Sequence, residues 1–263
     1  MKKQLIMGAC LLAAMPAWAS GQVCGTSKNL ASPFYMPQKN QWAAEVEGGM
    51  SRAKINPVKG WARDAEVGVE YGVTEDAEVF VTGGNAWTRK KELGVTEKEH
   101  HNENWSVGGK YNLFSGSFPI LATVQYLQQR GHGVQGEGEY KALFADVKKD
   151  FCSCCQCDID TYVGASIEVP VFQSSNSDNE PKYSGYAGIF RPWTQWLATD
   201  IRGIYSYDSE GSVSMPSVYG AVSVLPVESI AISLFAEQGI GGRAKNHTNV
   251  HAQEVGLNIK VQF

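Results

Sequence analysis

The sequence predicts an all-β fold, a transmembrane antiparallel up-and-down β-barrel of about twelve strands. Three observations lead there. Residues 254–263 alternate without a break, with Val255, Leu257, Ile259, Val261 and Phe263 on one side and Glu254, Gly256, Asn258, Lys260 and Gln262 on the other. That is period 2 over the roughly 9–11 residues that a tilted membrane strand needs. The same period recurs along the chain with no helical pattern between, and short links alternate with longer ones. Aromatic residues gather near the strand ends of the apolar face, as two lipid interfaces select, whereas a soluble sandwich would concentrate them in mid-strand.

From the N-terminus, Lys2-Lys3, the apolar stretch 5–15 and Ala17-Trp18-Ala19 have the order of a secretory signal peptide, expected over 1–19. Residues 20–41 then form an N-terminal periplasmic extension or a small plug entering the lumen, and 42–263 the barrel. Strands are expected at 42–50, 65–73, 77–87, 104–113, 120–129, 140–148, 160–169, 183–191, 196–205, 217–225, 230–237 and 254–263. The links 74–76, 114–118, 192–195 and 226–229 are tight, while 88–103, 172–182 and 238–248 are longer and rich in charge, Asn and Gly. Short turns belong on the periplasmic side, and an even strand number puts both termini there.

Parity assigns the faces. Val67, Val69, Tyr71 and Val73 oppose Glu66, Gly68, Glu70 and Gly72; Trp105, Val107 and Tyr111 oppose Asn104, Ser106 and Lys110. Val163, Ala165, Ile167 and Val169 oppose Asp160, Gly164, Ser166 and Glu168, and Ile201 and Tyr205 oppose Asp200 and Arg202. Trp42, Tyr71, Tyr111, Phe190 and Phe263 form one aromatic girdle near the turns, and Trp87, Trp105, Tyr126 and Tyr205 a second near the loops.

Composition excludes other classes. After residue 19 no apolar run approaches the length of about 20 residues that a transmembrane helix needs. Hydrophobic residues make up 43% of the chain, which fits a barrel wall because only alternate side chains meet lipid. A net charge of -4 and the lack of a basic patch along the sequence argue against nucleic acid as a partner. The 28 glycines suit a curved sheet.

The polar face is unusually charged. Arg or Lys facing lipid at mid-depth would cost about 2–4 kcal/mol, so these charges are expected inside. Glu45, Glu47, Glu66, Glu70, Lys110, Asp160, Glu168, Asp200, Arg202, Glu254 and Lys260 are the candidate lumen-lining residues, with Glu78, Asp146, Glu237, Lys148 and Arg191 as further inward charges. Two readings follow. The charges line a narrow passive channel whose acidic excess favours small polar or cationic solutes. Alternatively they pair across the lumen, leaving a non-conducting structural or adhesive barrel that acts through its loops.

Cys152, Cys154, Cys155 and Cys157 crowd one turn on the periplasmic side, and Cys24 is the fifth cysteine of the mature chain. Four thiols within so short a stretch make a poor tetrahedral metal clamp. In an oxidising compartment these five are disulfide candidates, with Cys24 tied to one cysteine of the turn. No enzyme is expected. His251 has lipid-facing parity but lacks a serine on its own face, since Ser51 and Ser233 point inward, so no nucleophile has a base within reach. The His100-His101 loop reads as a solvated charged loop. No catalytic, cofactor-binding or metal site is expected.

The closing strand with its terminal Phe263 resembles the C-terminal assembly signal of Gram-negative outer-membrane β-barrels. The hairpin from Val67 to Val81 is similar to one in porin-like outer-membrane proteins of phenol-degradation pathways, over about one hairpin of the chain. The resemblance implies residence in the cell outer membrane among its lipids, insertion by the barrel assembly machinery, and passage of small solutes by a monomer. The basic lumen of acidic-oligosaccharide channels is missing.

Overall fold

The computed structural model describes residues 29–55, 58–92, 95–96, 100–113, 120–133, 136–151, 159–174, 180–209, 212–244 and 248–263. Twelve long strands run β1 Trp42–Ile55, β2 Val58–Thr74, β3 Ala77–Glu92, β4 His100–Asn112, β5 Ile120–Gly133, β6 Gly136–Asp150, β7 Asp160–Gln173, β8 Lys182–Thr194, β9 Leu197–Asp208, β10 Val213–Val227, β11 Ile230–Gly239 and β12 Thr248–Gln262. Each pairs antiparallel with its neighbours in chain order. β12 returns to β1, from Ala43 opposite Gln262 to Ile55 opposite Val250, so the sheet closes without edges. At the seam Trp42 and Phe263 exchange both backbone hydrogen bonds at 3.0 Å. Among the described residues no helix occurs.

The strands are longer than the alternation predicted, and the excess lies at the loop end. β1 runs to Ile55 rather than to 50, β2 starts at Val58 rather than at 65, and much of the expected link 88–103 is paired backbone in β3 and β4. Above the lipid both faces meet water, so the apolar period vanishes while the hydrogen-bonded ladder continues.

The wall is apolar outside and polar inside. Val46, Val67, Val124, Leu234 and Leu257 are exposed, whereas Glu70 is 0% and Lys110 2% exposed. Strand β8 corrects the expected girdle. Phe190 faces inward at 2% exposure, and Arg191, expected inside, lies on the outward row with its guanidinium 3.8 Å from the Trp193 ring centre. Phe190 has apolar partners inside, and an arginine at the turn end reaches the headgroup level over a tryptophan rather than sitting in hydrocarbon.

Those partners come from residues 29–41, which occupy the turn end of the interior. Leu30, Phe34 and Tyr35 are buried against Ala43, Leu121, Tyr162, Phe190, Ala198, Leu225 and Ala231, each near the turn end of its strand. A tight turn shapes the segment: Ser32 N–H donates to the Asn29 carbonyl at 2.9 Å and Tyr35 N–H to the Ser32 carbonyl at 3.1 Å. Asn40, at φ 64°, then aims the chain into β1. Gly72 receives the segment: its carbonyl accepts from Asn40 N–H at 2.8 Å and its N–H donates to the Gln41 carbonyl at 3.0 Å. The carbonyls of Pro37 and Gln38 fill the space a Cβ would need there, so only glycine fits.

At the loop end Ile55, Val213, Met215, Val250 and Ala252 form a second buried apolar group with Ala244 of the short strand Gly242–Ala244. Cys24, Cys152, Cys154, Cys155 and Cys157 lie outside the described residues, as does the expected signal segment.

Candidate functional site

The interior holds two charged networks, a separate ion pair at the loop end, and one group of acids without a cationic partner among the described residues. Period 2 turns alternate residues inward, and closure brings distant strands face to face. Lys110 of β4 lies 3.3 Å from Glu70 of β2 and 2.5 Å from Glu78 of β3. Lys260 of β12 lies 3.0 Å from Glu70 and 3.4 Å from Glu45 of β1. This network links five strands across the seam. Its Lys260 ammonium stands 4.8 Å from the ring centre of Tyr35, which docks the N-terminal segment on it.

A second group holds the opposite wall. Arg202 Nη2 donates to Asp200 at 2.6 Å, and the Tyr162 hydroxyl donates to the same carboxylate at 2.5 Å. The Arg202 guanidinium lies 4.1 Å from the Tyr219 ring centre. Beside them Tyr186 donates to Asp146 at 2.8 Å, and Lys148 donates to the Pro33 carbonyl at 2.9 Å, a bond from the wall to the N-terminal segment. Glu168 sits apart at the loop end, 2.7 Å from Lys182. Asp160 is half-buried at the start of β7, away from both networks.

The remaining predicted carboxylates gather on β1, β2, β11 and β12. Glu47 accepts from Asn258 at 2.9 Å, Glu66 from Asn104 at 3.2 Å and Glu237 from Ser217 at 2.6 Å. Asp64 and Glu254 both close over Gly49, with carboxylate oxygens 3.2 and 3.5 Å from where its Cβ would stand. Among the described residues no lysine or arginine pairs with Glu47, Asp64, Glu66, Glu237 or Glu254. A cavity of about 80 Å³ lies against this group, lined by Glu47, Glu237, Glu254, Arg202 and Lys260, and also by Leu30 to Pro33 of the N-terminal segment. It is polar and has room for a few waters.

All eleven candidate lumen residues therefore lie on inward rows, yet they separate into paired and unpaired sets. The sequence reading missed the aromatic lining. Phe80, Tyr162, Tyr186 and Phe235 lie on the inner face, and each stands directly opposite a glycine: Phe80 by Gly108, Tyr162 by Gly188, Tyr186 by Gly164 and Phe235 by Gly256. The rings lie over those glycines, where a Cβ would collide. An inner-face glycine in register with an aromatic was the signal available.

His251 is exposed on the outward row, while Ser51 is buried and Ser233 shares a hydrogen bond with Ser223 at 2.7 Å. No serine–histidine pair forms among them.

Outward apolar rows, aromatic belts, a charged interior and full closure define the class: this chain has the fold of an outer-membrane β-barrel. No protein-family model matches it, and neither does any curated protein sequence. It is similar in structure to an outer-membrane channel from Pseudomonas putida F1, with TM-score 0.64 and 8% identity over 92% of this chain and 100% of that one. The β domain of the Bordetella autotransporter BrkA gives TM-score 0.57 and 11% identity over 84% and 98% of the two chains. The transport unit of the autotransporter AIDA-I from Escherichia coli gives 0.54 and 12% over 86% and 91%. At these identities the likeness is one of fold.

Proposed function

We propose that the protein is a monomeric outer-membrane channel through which small cationic or neutral polar solutes diffuse. One observation carries the reading: Glu47, Glu237 and Glu254 line a polar cavity, Asp64 and Glu66 stand on the neighbouring inward rows, and none of the five has a cationic partner among the described residues. The interior lysines and the arginine at Arg202 are engaged by acids or by a carbonyl. Such a wall attracts cations and repels anions. The path runs along β10 to β12, β1 and β2, past the N-terminal segment, which narrows the turn end as a plug. Both termini face the periplasm, and the exposed Phe263 is the mark by which the assembly machinery recognises the closing strand. Likeness to a channel from Pseudomonas putida F1 supports the reading, although the same fold serves autotransporter transport units.

The test is ion selectivity in planar bilayers. Glu47→Gln/Glu66→Gln/Glu254→Gln should lower the cation-to-anion permeability ratio about two- to fivefold while leaving the barrel folded. An unchanged ratio would show that these acids do not border the path.

A further inference from the structure

At the loop end, most cations on the outward rows gather on one part of the wall. Reading along the sequence finds no basic patch; the sheet register builds one. On β1 the outward series Trp42, Ala44, Val46, Gly48, Met50 gives way to Arg52 and Lys54. On β2 the outward series from Val73 back to Ala65 gives way to Arg63, Trp61 and Lys59, and on β3 Val79 and Val81 lead to Trp87, Arg89 and Lys91. From Val73 to Ala65 a tilted strand climbs roughly 20–25 Å, the height of the apolar band, so the cations begin at its upper edge.

Pairing sets them in rows across three strands. Arg52 stands beside Trp61 and Trp61 beside Arg89; Lys54 stands beside Lys59 and Lys59 beside Lys91. One row lower Arg63 adjoins Trp87, which adjoins His101. The Arg52 and Arg63 guanidinia lie 5.9 and 5.3 Å from the ring centres of Trp61 and Trp87. Three lysines directly opposite one another repel, which costs stability unless an anion lies over them. Glu103 is the acid on this outward face among the described residues of β1 to β4, and it is paired in register with Asn85 and Arg130. On the far side, the loop ends of β8 to β11 present no lysine or arginine on their outward rows among the described residues, and the short strand Gly242–Ala244 beyond β11 adds one outward cation, Arg243.

We propose that this crescent binds the phosphates of a phosphorylated glycolipid in the outer leaflet, the lipid A class. The inference rests on the loop end facing outward, as in the function proposed above. The occupant is a lipid rather than a soluble anion because the cations adjoin the lipid-facing apolar rows. A ligand there needs an anionic head and acyl chains together.

The folded, full-length barrel in detergent is titrated with bis-phosphorylated lipid A and with its dephosphorylated form, and bound lipid is counted by native mass spectrometry. The wild type should prefer the phosphorylated lipid by on the order of 100-fold. Arg52→Gln/Lys59→Gln/Arg63→Gln/Arg89→Gln, checked for folding by its heat-modifiable migration, should lose that preference. Arg130→Gln/Lys141→Gln should keep it, because both cations are already held by Glu139, at 3.7 and 3.3 Å. Equal affinity for the two lipids, or a fourfold variant that still prefers phosphate, overturns the proposal whatever the channel does. In intact cells Ser209→Cys, at the loop end, should react with an impermeant maleimide beyond the parent's background. Protection of that cysteine overturns the orientation, and the outer-leaflet ligand with it.

Discussion

Glu70 and Glu47 are both inward glutamates on neighbouring strands, and they are expected to do different work. Glu70 touches two lysines and is fully buried; Glu47 touches an asparagine. Removing one partner of a buried ionic network leaves uncompensated charge, so Glu70→Gln should destabilise the barrel by about 3–5 kcal/mol, read as a lower urea midpoint in lipid vesicles. Ion selectivity should change little, since Glu70 is masked by its lysines. Parity alone placed both residues inside. It could not separate them, because Lys260 meets Glu70 only through closure, from 190 positions further along the chain. The lysine rows on the outer wall escaped notice for the same reason. Lys54, Lys59 and Lys91 become neighbours through register and not through sequence.

The N-terminal segment, buried in the turn end of the interior, is proposed to narrow the path there. Its grip on the wall has identifiable points. Lys148→Met removes the bond to the Pro33 carbonyl, and Gly72→Leu puts a side chain where the Pro37 and Gln38 carbonyls lie. Either change should loosen the segment and raise single-channel conductance, Gly72→Leu the more strongly because its side chain cannot be accommodated. Unchanged conductance in both would show that the segment does not border the path. The expected link from Cys24 to the cysteine-rich turn would pin this segment at the barrel base, and non-reducing peptide mapping should recover Cys24 joined to that turn. Strand order, most faces and the tight turns at 74–76, 192–195 and 226–229 were legible because lipid imposes period 2 on the outer face, while the expected link 114–118 lies outside the described residues. The burial of Leu30, Phe34 and Tyr35 was not, since one compact turn shows no period. Phe190 and Arg191 were misplaced for a related reason. The inner face of β8 carries aromatics that fill the interior, so polarity no longer marks which side faces lipid.

For the whole molecule, closure is the feature on which the rest depends. Thirteen residue pairs join β1 to β12, and the seam ends where Trp42 and Phe263 bond backbone to backbone. Phe263 is 70% exposed on the outer face, so its ring does little for the folded core. Phe263→Ser should therefore leave the stability of refolded protein nearly unchanged while sharply reducing the amount inserted in cells, as measured by fractionation of outer membranes. Equal insertion would remove its role as an assembly signal. The proposed conduction rests on a closed wall around an acidic, water-sized interior, and single-channel recording in planar bilayers measures it. The purified barrel should give small, cation-selective openings, with larger openings when residues 20–41 are deleted. A well-folded barrel that shows no ion-permeable openings, with or without that segment, would contradict it.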